Sequence, residues 1–375
     1  VFFFAGLVFL LSAILICRPA AAQYDNPQNT RKDRNQVFRI KLLPPGPDNP
    51  RNSEGDFIQL RDGRIMFVYS HFTSGADDFA NAHLASRFSD DGGKSWSERD
   101  VDVLSDEDTP NIMSVSLIRL KNNKIALFYL RKNSDEDCRL YLRTSRNEAR
   151  TWSDPVLCHY DREGYYVTNN DRIIQLSDGR LIVPSALHNT PDKKNFENNA
   201  EIVCHYSDNS GKKWKRSTAI LKSETAVVQE PGIVELKDGR IMMFCRTDQG
   251  CQYVSFSSDR GSTWSELEPS GIVSPLSPAS IERIPSTGDL LMVWNNTRET
   301  KRTPLTVAIS GNDGKTWEHV RDIETDPDGW YCYTAIDFIG DQIFLAYCAG
   351  NRKTGNGLET TQITRLPVSW LYEKK

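Results

Sequence analysis

Ser89-Asp90-Asp91-Gly92-Gly93-Lys94-Ser95-Trp96 is one of five copies of an eight-residue pattern in this chain of 375 residues. The others run from Ser145 to Trp152, Ser207 to Trp214, Ser257 to Trp264 and Ser310 to Trp317, with successive starts 56, 62, 50 and 53 residues apart. A period of that size marks a repeat architecture. The pattern has the chemistry of a tight turn: Asp91 or Asp259 accepts N–H bonds across the loop, Gly93 or Gly261 takes a positive φ, and the Trp packs beneath. It is a mark of fold and carries no catalytic chemistry.

A second repeat counts to six. Turn signals stand at Asp62-Gly63, Asn122-Asn123, Asp178-Gly179, Asp238-Gly239, Thr287-Gly288 and Gly340-Asp341, each between short runs rich in Ile, Leu, Val, Phe and Tyr. Six hairpins imply six units, each with space for about four short strands, the size of a propeller blade. The expected fold is an all-β, six-bladed β-propeller. Pairing of a strand near Phe38–Leu43 with strands near Thr361–Leu366 would close it.

The composition suits a folded globular protein: 38% hydrophobic, 10% aromatic and 26% charged. Lys and Arg total 46 against 50 Asp and Glu, net −4, and the basic residues are scattered, so no footprint for nucleic acid exists. The apolar run Val1 to Ile16, followed by Ala20-Ala21-Ala22, is expected to be a signal peptide over residues 1–22, cleaved near Ala22. Residues 23–375 then form one domain of a periplasmic or extracellular protein, with no stable membrane insertion once the signal is removed. Cys138, Cys158, Cys204, Cys245, Cys251, Cys332 and Cys348 remain, an odd number without CxxC spacing, which argues against structural zinc and leaves disulfide pairing open.

In each hairpin the start of the first strand and the end of the second lie at the same end, so in a radial fold they ring one mouth. Those positions are Arg51, Glu54, Asp56 and His71; Asn111 and Arg131; Asn169 to Arg172 with His188; Gln229, Glu230 and Arg246; Trp294 to Asn296; and Tyr333. Ionisable groups crowd this rim while the strand interiors are apolar, as blade packing requires.

With these features the chain resembles the exo-α-sialidase (neuraminidase) superfamily of Asp-box, or BNR repeat, propellers, over nearly all of residues 23–375. The family places a Glu at the start of one strand and an Arg sixteen residues on, as Glu230 and Arg246 stand here. Its nucleophilic Tyr opens the first strand of the last unit, matching Tyr333. A substrate-binding Arg about thirty residues earlier matches Arg302, and the acid/base Asp ahead of the first Asp-box matches Asp78, with Asp77 a rival. One element departs from the family: its first Arg sits in an Arg-Ile-Pro motif, whereas here Arg51-Asn52-Ser53-Glu54 stands nearby, about two residues out of register. Phe38-Arg39-Ile40 mimics the motif too far from the Asp62-Gly63 turn.

The resemblance implies a retaining glycoside hydrolase. A neutral phenol avoids the repulsion that a carboxylate nucleophile would meet at an anomeric carbon bearing a carboxylate. Tyr333 takes that role, with Glu230 as its base. Arg246, Arg302 and Arg51 would hold the substrate carboxylate, Asp78 would protonate the leaving oxygen, and Asn170 and Arg172 would line the pocket. The partners would be sialylated or other acidic glycans, with no cofactor and no metal. The other readings are a related glycosidase or lyase acting on another acidic sugar such as a uronate, and a glycan-binding propeller without catalysis. Taken singly, the same residues also read as structure: Tyr333 as a packed aromatic, Glu230 with Arg246 as a cross-hairpin ion pair, Arg172 in a local ion pair.

Overall fold

The structure is a computed structural model that describes residues 37–105, 108–193 and 195–373. The expected signal peptide lies outside them. Within them the fold is all-β, with one short helix, Val368–Tyr372.

All six expected turns join antiparallel hairpins. The first strands are Arg51–Gln59, Asn111–Arg119, Tyr165–Val167 continued by Ile174–Gln175, Val228–Glu235, Ser280–Arg283 and Gly329–Ile339. Their partners are Ile65–Phe72, Ile125–Lys132, Leu181–Asn189, Ile241–Thr247, Leu290–Trp294 and Gln342–Asn351. Phe38–Leu43 pairs antiparallel with Thr361–Pro367, Ile40 opposite Ile363, so the first described strand completes the sheet of the last hairpin. Fourth, fifth and sixth units are separate four-stranded sheets. The first three run together into one 13-stranded sheet, because the third strand of one unit meets the start of the next at single parallel pairs, Ala82 with Asn111 and Cys138 with Tyr165.

The Asp-box chemistry is as expected. Asp91 Oδ1 accepts from the Lys94 and Ser95 backbone nitrogens, both at 2.9 Å, and the Gly93 nitrogen donates to Ser89 Oγ at 2.8 Å. Gly93 has φ +82°, and a Cβ there would meet the Phe344 ring at 2.2 Å. Where the Asp is replaced, Asn147, Asn209 and Asn312 accept the equivalent bonds through their amide oxygens. Apolar clusters fill the spaces between units: Phe57, Phe67 and Tyr69 of the first pack on Phe344, Ala346 and Ile363 of the last. Each buried Phe or Ile among them contributes about 1.5–3 kcal/mol.

Four first strands share a further device. Each is broken by a β-bulge, between Ser53 and Asp56, Met113 and Ser116, Gln229 and Gly232, and Cys332 and Ala335. In each a residue has left-handed backbone: Glu54 (φ +56°), Ser114 (+58°), Glu230 (+47°) and Tyr333 (+56°), and Asp171 (+54°) stands at the matching place in the third unit. A bulge turns its side chain out of the alternation that would bury it in the blade. The strands converge: Asn170 Nδ2 of the third unit donates to Gly55 O of the first and Tyr333 O of the sixth, and Arg172 Nη2 donates to Ala279 O of the fifth.

A candidate active site at the ends of the first strands

Where the bulged ends meet, a cavity of about 340 Å³ opens, within the range of about 300–1,000 Å³ usual for small-ligand sites. Its walls carry Tyr333, Glu230, Arg246, Arg302 and Asp78, which come from the sixth and fourth units, the chain preceding strand Leu305–Ser310, and the loop before strand Ala82–Ser89.

At the centre, Tyr333 Oη donates to Glu230 Oε1 at 3.1 Å, across 103 residues of chain. Glu230 Oε2 faces Arg246 Nη1 at 2.6 Å. Gln229 and Arg246 are cross-strand partners, so the bulge after Gln229 brings Glu230 round onto the guanidinium. Burial alone would raise the Glu230 pKa, but Arg246 and Arg302 outweigh it and hold the carboxyl below its usual value. Burial, and then the Glu230 anion, push the Tyr333 phenol far above its ordinary value. The Arg302 guanidinium carbon lies 5.4 Å from the Tyr333 ring centre. Among the described residues Arg302 has no carboxylate within ion-pair distance; its Nη2 donates to Leu276 O at 3.4 Å, and its guanidinium also bonds the Cys332 side chain.

Asp78 faces this pair from the first unit. Arg51 Nη1 binds its Oδ1 at 2.6 Å, and Lys132 Nζ donates to its backbone oxygen, also at 2.6 Å. Burial opposes ionisation, yet Arg51 prevails and the Asp78 carboxyl is held below its ordinary value. The rival Asp77 accepts from the Phe79 nitrogen at 2.8 Å in a local turn and does not line the cavity.

Three expected ligand contacts stand elsewhere. Arg51 is 1% exposed, bound to Asp78, Glu54 and Ser53 beneath the cavity wall. Asn170 and Arg172 are buried behind Tyr333, where they bond backbone oxygens of other units. Asn170 and Arg172 were expected to line the pocket; neither is among its lining residues, and convergence of the first strands leaves both inside the protein. Arg39, the mimic of the motif, binds Glu324 at 2.8 Å on the outer side of the last sheet. Of the other rim residues, His188 and Gln229 line the cavity, whereas His71 stacks on His83 and Trp294 donates to Val273 O.

Further walls come from residues that the sequence did not single out: Tyr165 and Trp330 in first strands, and Phe196, Arg352, Asn356 and Leu358 in connections. Trp330 stands three residues before Tyr333 and had that proximity as a signal; the residues in connections had none. Larger hollows, of about 690 and 660 Å³, lie beside Trp317 and at the turn end of the first strands near Arg283, away from the tyrosine and its partner. No group of three or more His, Cys, Asp or Glu suited to a metal ion occurs among the described residues, and the seven cysteines there are free thiols. No helix among those residues is long and apolar enough to cross a membrane.

These features define an all-β, propeller-type chain with a sialidase-like glycosidase fold. Residues 101–344 match the family model described as BNR repeat-like domain, and the chain belongs to that family, in the sialidase/BNR superfamily. It is 25% identical over 233 residues to a sialidase of Clostridium perfringens, covering 56% of this chain and 59% of the relative, so it spans about three-fifths of the relative's length. Solved structures share its fold, two of them as follows. One is the K499G mutant of NanB sialidase from Streptococcus pneumoniae, with TM-score 0.69, 17% identity, and cover of 88% of this chain and 71% of that one. The other is a leech intramolecular trans-sialidase complexed with 2,7-anhydro-Neu5Ac, with TM-score 0.70, 17% identity, and cover of 89% and 71%.

Proposed function

We propose that this protein is an exported, six-bladed propeller that acts as a retaining exo-α-sialidase on glycoconjugates. The observation that carries the reading is the hydrogen bond from Tyr333 to Glu230, itself paired with Arg246. The blade count is supported by six hairpins, four of them with the same bulge.

In this reading the substrate carboxylate lies against Arg302 and Arg246 through charge-assisted hydrogen bonds. The Tyr333 phenol attacks the anomeric carbon as Glu230 takes its proton. Because the phenol pKa is raised, proton transfer accompanies attack and no free tyrosinate precedes it. Asp78 protonates the leaving oxygen, then removes a proton from the water that cleaves the glycosyl–tyrosine bond, so two inversions give retention. The Asp78 proton must be acquired against the pull of Arg51, which favours turnover at acid pH.

The test is release of sialic acid from sialyllactose by purified protein, with Tyr333→Phe and Glu230→Gln as controls. Turnover abolished in Tyr333→Phe and strongly reduced in Glu230→Gln supports the reading; turnover retained in Tyr333→Phe removes it. A second reading has its own observation: Arg51, withdrawn beneath Asp78, leaves two guanidiniums for the carboxylate. If sialosides are inert while uronate-containing glycans are cleaved, the enzyme acts on another acidic sugar; binding of either without cleavage indicates a glycan-binding propeller.

A further inference from the structure

The charges on the cavity wall do not balance. Asp78 is neutralised by Arg51 and Glu230 by Arg246. Two cations on the wall, Arg302 and Arg352, have no carboxylate within ion-pair distance among the described residues. Both instead pack on one ring: their guanidinium carbons lie 5.0 and 4.7 Å from the Trp330 ring centre. Two acids of the segment bonded to this connection already have partners, Asp328 in Lys353 Nζ at 2.6 Å and Asp326 in Asn351 Nδ2 at 3.2 Å.

Arg352 is also held in place. It lies in the connection from strand Gln342–Asn351 to strand Thr361–Pro367, and its nitrogen donates to Asp328 O at 2.9 Å. Across the same connection Gly357 packs so closely on Trp330 that a Cβ would meet the indole at 2.3 Å, and Asn356 Nδ2 reaches Ala76 O beside the Asp78 loop at 3.5 Å. The connection therefore forms the outer wall of the cavity, with an unpaired cation fixed on an aromatic face.

We infer that Arg352 is a specificity-determining residue that binds a second anionic group of the substrate, so the preferred glycan carries two negative charges. This rests on the proposed sialidase reading, in which one carboxylate engages Arg302 and Arg246. Because each guanidinium is within about 5 Å of the same ring centre, their separation cannot exceed about twice that. The second charge then belongs to the terminal sugar or the one next to it: a carboxylate of an adjoining acidic sugar, or a sulfate ester.

The experiment has two parts. In the first, kcat/KM is measured for an α-linked disialoside and for a sialoside sulfated on the penultimate sugar, each against the matched singly charged glycan. A roughly three- to tenfold preference for one doubly charged form, carried by KM and weakened by salt, is expected, and the favoured probe tells carboxylate from sulfate. In Arg352→Gln that ratio falls to about one. In the second, dissociation constants of the same glycans are measured by calorimetry on Tyr333→Phe protein, with and without Arg352→Gln. This part needs no turnover, so a failed sialidase reading and a failed Arg352 assignment are separable. A ratio of one in the wild-type protein overturns the inference, as does a ratio unchanged by Arg352→Gln or an equal loss of affinity for both charge classes.

Discussion

Replacing Glu230 with Gln tests the proposed chemistry at its centre. The substitution keeps the side-chain volume and an oxygen that can accept from Tyr333, so the hydrogen bond of 3.1 Å can persist. It removes the carboxylate that would take the phenol proton, and sets an amide near Arg246 where an ion pair of 2.6 Å stood. A positioned general base contributes about 10²- to 10⁴-fold, or roughly 3–5 kcal/mol of barrier. A fall in kcat near 10³-fold is expected with sialyllactose. The pH profile is more diagnostic. In the native site burial and then the Glu230 anion raise the phenol pKa; without the anion, Arg302 and Arg246 pull it back toward the ordinary value. The residual rate of Glu230→Gln should therefore rise about tenfold per pH unit on the alkaline side, as tyrosinate forms without a base. The assay is kcat for sialic acid release between about pH 5 and 9.5, with Tyr333→Phe as the baseline, where that rise is absent. If Glu230→Gln keeps kcat within about threefold of native across this range, Glu230 is not the base.

Asp78→Asn should cost far more on sialyllactose than on a sialoside with an activated aryl leaving group, which needs little protonation; equal losses on both substrates would contradict the acid role. Gly93→Ala should lower stability by about 2–3 kcal/mol in chemical denaturation, since positive φ and contact with Phe344 act together, whereas Gly63→Ala, at φ +91° with open space around it, should lose only about 1 kcal/mol. Burial raises the Asp337 carboxyl pKa from 3.8 to about 7. Its stabilising contribution is thus complete below the unfolded value and is lost as pH rises through the folded one. Asp337→Asn, which keeps an acceptor for the Phe338 nitrogen, should leave stability unchanged near pH 4 and raise it by about 1–3 kcal/mol at pH 8; a gain that does not grow with pH would show that Asp337 is not held neutral.

The hairpins were legible because their signals are local: Asp62-Gly63 or Asp238-Gly239 between apolar runs needs only the chemistry of a turn. Glu230 and Arg246 were legible for the same reason, standing at the open end of one hairpin, where their side chains form an ion pair. Contacts set by convergence of units were not. Nothing within twenty residues of Asn170 signals that its amide will hold the backbone of Tyr333, 163 positions away. Arg352 and Phe196 lie in connections with no periodicity to read. Arg51 shows the intermediate case: its place at a strand start was visible, but its enclosure by Glu54 and Asp78 depends on a loop that folds back over the strand.

The bulge explains why one fold can carry this chemistry without a dedicated element for it. Left-handed backbone at a non-glycine residue costs of order 1–3 kcal/mol, and the chain accepts it at Glu54, Ser114, Asp171, Glu230 and Tyr333, one place in each of five units. The repetition makes the bulge a property of the blade, independent of which side chain it presents. Function then follows from residue type at that place. Serine and aspartate there make structural bonds, as Ser114 does to Glu54 and Asp171 to the Ile336 nitrogen. A tyrosine and a glutamate in two different units meet over the cavity. Tyr333→Ser should thus leave the bulge and the hairpin folded, with denaturation close to native after allowance for lost packing, while turnover disappears. Global unfolding of that variant would mean that the bulge depends on its side chain and that the separation of scaffold from chemistry argued from the five positions does not hold.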